Sequence, residues 1–266
     1  MTIHGRTQQA GPAAATTPSP GEVQVEPHSL PRSLALHLLP GVVIATIFYG
    51  AAPLVMRAGF PAIAAGMLAA VGVLGIEMGW LLYQARRRTG RFALSALLPY
   101  RPGRFTWRKG LLAFAIWFWA LAASMLLAGL KPVVLGSVFW WVPDWAVNPL
   151  PRDIAATSSV AVLVVTGVGL LAVNVILTPL AEEVYFRGYL LPRLHRLGIW
   201  APLVNISLFS LYHYWTPWDV LTRIVLLLPM AYAVWWTRDI RVGMAVHVGL
   251  NGTGYFTNSL PTLLAG

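Results

Sequence analysis

Long apolar runs broken by short polar clusters dominate this chain. A bilayer core needs roughly 20 apolar residues of helix, and seven runs approach that length: Leu34–Met56, Ala62–Tyr83, Gly110–Leu130, Thr157–Leu180, Trp200–Tyr214, Val220–Thr237 and Ile240–Leu260. The fifth is the shortest. Lys131–Val142 is apolar but too brief to cross, which suits a re-entrant or interfacial segment; counted as a span it would make eight. The pattern predicts an all-α, polytopic transmembrane bundle over residues 32–266, with no internal repeat and no separate soluble domain. Residues 1–31 are rich in Ala, Pro, Thr and Gln and poor in large apolar residues, which predicts a disordered cytoplasmic tail. They lack the short apolar core and small-residue cleavage site of a removable signal peptide, so the first long run is expected to direct insertion.

Composition supports the membrane reading. Hydrophobic residues make up 57% of the chain and charged ones only 11%, against about a quarter charged in soluble domains. A net charge of +10 would suggest nucleic acid in a soluble protein, but here the cations sit between spans, so topology explains them and no nucleic acid is expected. Arg86, Arg87, Arg88, Arg91, Arg101, Arg104, Arg108 and Lys109 lie between the second and third spans. Arg187, Arg193, Arg196, Arg238 and Arg241 follow the fourth and sixth. With Arg6 and Arg32, 15 of the 19 basic residues fall on one side; Arg57, Lys131, Arg152 and Arg223 do not. The positive-inside rule then predicts a multi-pass plasma-membrane protein with a cytoplasmic N-terminus. The arginines at 86–91 would also suit anionic lipid headgroups.

Ionisable groups within membrane helices are costly and usually face a cavity or a partner. They reduce to Glu77, Glu182, Glu183, His213 and His247, accompanied by Asn205 and Asn251. For Glu77 a structural role is expected, paired with a polar group on a neighbouring helix. Three patterns organise most of the others: Glu182-Glu183-x-x-x-Arg187, Phe209-x-x-x-His213 and His247-x-x-x-Asn251. Residues four apart share a helix face, though each pair alone is common on any helix. If the fourth helix runs to about His195 and the chain reverses near Gly198, Glu182 and His213 lie at matching depth, roughly 22–24 Å along antiparallel arms at ~1.5 Å per residue. The four groups Glu182, His213, His247 and Asn251 would then meet in one chamber near the cytoplasmic half. Glu183 precedes Arg187 in the favourable order for an ion pair. Glu182, rotated about 100° away, stays free as a general base for water beside His213. His247 and Asn251 supply donors for a tetrahedral oxyanion.

These three motifs, in this order on successive membrane helices, resemble the CPBP family, which includes the CAAX prenyl endopeptidases of the Ras-converting type and bacterial bacteriocin-processing and self-immunity relatives. Leu180-Ala181-Glu182-Glu183-Val184-Tyr185-Phe186-Arg187-Gly188-Tyr189-Leu190 carries the first motif, Phe209 with His213 the second, and His247 with Asn251 the third. The resemblance covers about residues 157–260. It implies an intramembrane endopeptidase acting on a CAAX-type or peptide substrate, with Glu182 and His213 activating water, His247 and Asn251 holding the oxyanion, and Glu183, Arg187 and Phe209 in support. The alanine-rich, basic style of the chain favours a peptide or another membrane protein as substrate over a prenylated one.

Metal-free chemistry is the favoured expectation, with zinc on Glu182, His213 and His247 as the alternative; no His-Glu-x-x-His occurs. Without cysteine there is no thiolate nucleophile, and the G-x-S-G and G-x-G-D motifs of other intramembrane proteases are missing. Two other function classes compete. A proton-coupled transporter would also use buried Glu and His, but its usual repeats or paired broken helices are not found. A non-catalytic immunity or scaffold protein would tolerate loss of Glu182 and His213 together.

Overall fold

The computed structural model describes residues 25–100 and 103–265, so most of the expected tail, residues 1–24, lies outside the described residues. The described chain is helical and contains no strand. Helix α1 (Leu30–Arg57) begins with Pro31 in its first turn, where the missing N–H costs nothing. Helix α2 (Ile63–Thr89) runs past its apolar stretch to take in Arg86, Arg87 and Arg88, whose charges suit the negative C-terminal end of a helix. It stops at Gly90, whose φ of 74° is the left-handed cap conformation. Helix α3 covers Trp107–Leu126. The apolar stretch after it forms only an eight-residue helix, Leu130–Ser137, about 12 Å long and too short to cross.

Helix α4 begins at Val160, capped by the Ser159 hydroxyl accepting from the Val162 N–H. It continues without a break through a π-helical stretch, Leu170–Leu177, the turn Thr178–Glu182 and a second π-helical stretch, Glu183–Leu190. The helical run then tightens and breaks at Gly198 (φ 53°, ψ −126°), a conformation that costs an L side chain strain. The chain reverses there into α5 (Ala201–Tyr212), as the sequence predicts. Helix α6 is Val220–Thr237, and α7 starts at Ile240–Gly254 and continues as Tyr255–Ser259 and Leu260–Leu264. By length and apolarity alone five helical runs qualify as membrane spans, the hairpin of α4 and α5 counting as one.

The two ends of this bundle are built differently. At the end carrying the arginine-rich loops, the Asp239 carboxylate accepts from Lys109 Nζ at 2.7 Å and from Arg241 Nε and Nη2 at 2.8 Å. Burial alone would raise the Asp239 pKa, but these charged donors hold it at about 2. Arg241 also donates to the Gly103 carbonyl. Nearby, the Arg193 guanidinium lies 3.6 Å from the centre of the Tyr189 ring, against which Trp80 packs edge-on. At the opposite end the contacts are mostly apolar: Trp145 meets Phe48 and Tyr49 edge-on, Phe139 meets Trp218, and Leu263 covers Gly167. Three helices are tied at mid-bundle by Asn205, whose amide donates to His37 Nε2 on α1 and to the Phe186 carbonyl on α4. Asn205 is therefore a buried brace between helices.

Candidate active site

The site grows from an irregularity in α4. In a π-helical register a carbonyl accepts from the N–H five residues on. For Asn174 that residue is Pro179, which has no N–H to give. The orphaned Asn174 carbonyl instead accepts the Asn251 side-chain amide from α7, at 2.7 Å. Proline thus fixes where α7 docks on α4 and holds Asn251 against it. Asn174, Thr178 and Glu182, four residues apart, all line one cavity of about 800 Å³. His213, His247 and Asn251 line the same cavity, so the residues expected to converge do so.

The adjacent acids have separate surroundings. Glu183 is fully buried, with Oε1 taking both Arg187 Nη1 at 3.2 Å and His247 Nδ1 at 3.0 Å. The Arg187 pair follows from spacing, whereas the bond to His247 spans 64 residues and was not expected. Room for this carboxylate is made by Gly243, since a Cβ there would collide with Glu183 Oε2 and come within 3.2 Å of its Cδ. Glu182 is equally inaccessible from outside, at 2% exposure, yet borders the cavity, with Oε2 3.8 Å from His247 Nε2. The 100° rotation between neighbours on a helix sends one acid into the frame and the other to the chamber.

Both imidazoles are oriented through Nδ1. His213 ends α5, and its Nδ1–H donates to the Phe209 carbonyl at 2.8 Å, which leaves Nε2 as an acceptor. His247 spends Nδ1–H on Glu183, so its Nε2 donates only when the ring is doubly protonated. Phe209 sits between the two rings, 4.8 Å from His213 and 6.0 Å from His247 by centroids. The Arg187 guanidinium lies 4.1 Å from the centre of its face. Phe209 is therefore the spacer between the two imidazoles, and it also covers a buried cation.

Two expectations are corrected. Glu77 is buried, but neither carboxyl oxygen has a hydrogen-bond partner among the described residues. The chamber does not lie toward the basic end: from Glu182 it extends among Ile63, Gly66, Met125, Asp219 and Thr257, which belong to the opposite ends of their helices. A depth of over 20 Å from the reversal had already carried Glu182 past the middle of a 30 Å bilayer.

Arg223 and Thr178 were not singled out from sequence. Arg223 lines the cavity and donates to the Ser210 carbonyl at 3.3 Å and the Thr216 hydroxyl at 2.9 Å, clamping both sides of the turn that carries His213. Thr178 is one turn before Glu182, and its hydroxyl is buried without a partner among the described residues. The Asn174/Thr178/Glu182 spacing was the available signal for Thr178; for Arg223 it was a charged side chain inside the sixth apolar run, away from most other cations. Zinc needs its ligand atoms within about 2.0–2.2 Å of one point, and among the described residues no three His, Cys, Asp or Glu side chains are placed to hold a metal ion.

Residues 164–253 match the family model described as Rce1-like, type II CAAX prenyl endopeptidase Rce1-like. No curated protein and no solved structure is matched by the chain.

Proposed function

With residues 164–253 forming an Rce1-like domain, consistent with a CPBP-family intramembrane protease, we propose that the chain hydrolyses a peptide bond of a peptide or membrane-protein substrate with water activated at Glu182. The observation that carries this reading is the Glu182 carboxylate, sealed from solvent outside the bundle yet bordering the cavity that His213, His247 and Asn251 also line.

Each group has a chemical task in that chamber. The Glu182 carboxylate takes a proton from water, and His213 Nε2, a free acceptor, orients the same water. The hydroxide attacks the scissile carbonyl. Negative charge on the resulting oxyanion is met by Asn251, whose second amide hydrogen is not used by Asn174, and by Nε2–H of a doubly protonated His247. The Glu183 carboxylate accepts from Nδ1 of that ring and fixes its orientation. Glu182 then returns its proton to the departing amine, so the products are a carboxylic acid and an amine, and the enzyme is restored.

The test is cleavage of quenched fluorescent membrane peptides by the full chain in liposomes, comparing wild type with Glu182→Gln. General-base loss should lower the rate at least ~10²-fold, with the thermal transition in detergent little changed. Full cleavage by Glu182→Gln would remove the assignment.

A further inference from the structure

The cavity and the cations occupy opposite ends of the bundle, which bears on where the occupant comes from. Towards the basic end, the chain below Glu182 is closed by side chains that are buried almost completely: Phe186, Arg187, Tyr189, Leu190 and Phe209. Among the described residues, no cavity-lining residue comes from the loop between α2 and α3 or from the α4–α5 reversal. Toward the other end the chamber extends between α3, through Leu121, Ser124 and Met125, and the far half of α7, through Gly254, Thr257 and Asn258. Met125, Thr257 and Asn258 are exposed on the outer surface as well, so the chamber reaches the surface between these two helices. Its wall is apolar at Ile44, Phe48 and Leu226, with Asp219 and Arg223 as the charged patch.

We infer that the site is served from the face of the membrane opposite the arginine-rich loops, and that its substrate is a membrane-inserted segment whose scissile bond lies in the extracytoplasmic half of the bilayer. Arg86, Arg87, Arg88, Arg91, Arg108 and Lys109 mark the cytoplasmic side by the positive-inside rule. A gap between two helices admits a chain laterally from lipid, and an apolar wall with a small polar patch suits an extended segment near the interface. Non-helical backbone at that depth is tolerated only inside protein or beside a water-filled cavity, which this chamber provides. The inference rests on the hydrolase reading only for naming the occupant a substrate.

The chain has no cysteine, so single cysteines report their own side. In intact cells expressing the full chain, a membrane-impermeant maleimide should label Arg152→Cys, in the loop at the cavity end, and Ser124→Cys, in the cavity wall. It should label Arg91→Cys only after permeabilisation. Labelling of Arg91→Cys in intact cells would overturn the sidedness. Labelling of Ser124→Cys solely from the inner face, or from neither face, would overturn the route. None of these readouts depends on catalysis, so inactivity of the protein would sink the hydrolase reading and leave the sidedness standing.

Discussion

The two ends of the bundle solve the problem of buried charge in opposite ways. Towards the arginine-rich end two buried acids are paired with cations: Asp239 holds Lys109 and Arg241, and Glu183 holds Arg187 and His247. Toward the far end charges meet a void, with Glu182 and Arg223 both bordering the cavity. Close ion pairs make a frame, whereas Glu182, 3.8 Å from His247 Nε2, keeps its carboxylate at the cavity wall. Glu182 and Glu183 stand on the boundary between the two regimes, one residue apart.

The sharpest way to break that contrast is to remove each glutamate in turn. Glu183→Ala leaves Arg187 buried without its carboxylate, a loss of about 3–5 kcal/mol for a buried pair. Its thermal transition in detergent should fall steeply, and cleavage should vanish with it. Glu182→Ala should lose cleavage alone. Equal destabilisation by both would erase the distinction.

Gly243→Ala comes next, because its new methyl group collides with the Glu183 carboxylate. Overpacking of this kind costs about 1–3 kcal/mol, and displacing Glu183 frees the His247 ring. The expected result is a lowered melting temperature together with a lowered kcat, read in the same liposome assay. Normal kcat would mean that Glu183 does not orient His247.

Arg223→Gln probes the cavity regime. Losing the clamp on Ser210 and Thr216 loosens the turn bearing His213, and misplacement of a catalytic group by an ångström costs on the order of 10²-fold. The loss should appear in kcat, with Arg223→Lys restoring part of it. An unchanged kcat would reduce Arg223 to a solubilising charge in the chamber.

The smallest effect belongs to the basic end. Asp239 titrates at about 2 in the folded chain against 3.8 ordinarily. A carboxylate with a depressed pKa contributes stability that is complete above about pH 4 and is lost as pH falls toward 2. Asp239→Asn should remove on the order of 1 kcal/mol at neutral pH and flatten the acid limb of stability between pH 4 and 2. A parallel acid limb in wild type and variant would discount the cluster.

Much of the site was legible because it is local. The Glu183–Arg187 pair, the divergence of Glu182 from Glu183 and the Phe209–His213 contact all follow from 3.6 residues per turn, and the reversal at Gly198 set Glu182 and His213 at one depth. What spacing could not supply were contacts between distant segments. His247 on Glu183, Asn251 on the Asn174 carbonyl and Arg223 beside His213 depend on how α6 and α7 rotate against α4 and α5. Glu77, given a partner in expectation, has no hydrogen-bond partner among the described residues.

Hydrophobic run lengths, the placement of cations and the four-residue spacing of the motifs determined by themselves that this chain is a helical membrane bundle and which polar residues it keeps at its centre. Those properties are set by transfer free energy and helix geometry, which act residue by residue. The direction in which the chamber opens, the partner of each imidazole and the acid left free were decided only when the helices packed. They depend on helix rotation and on the close approach that a glycine and a proline permit, and neither is encoded within any one segment.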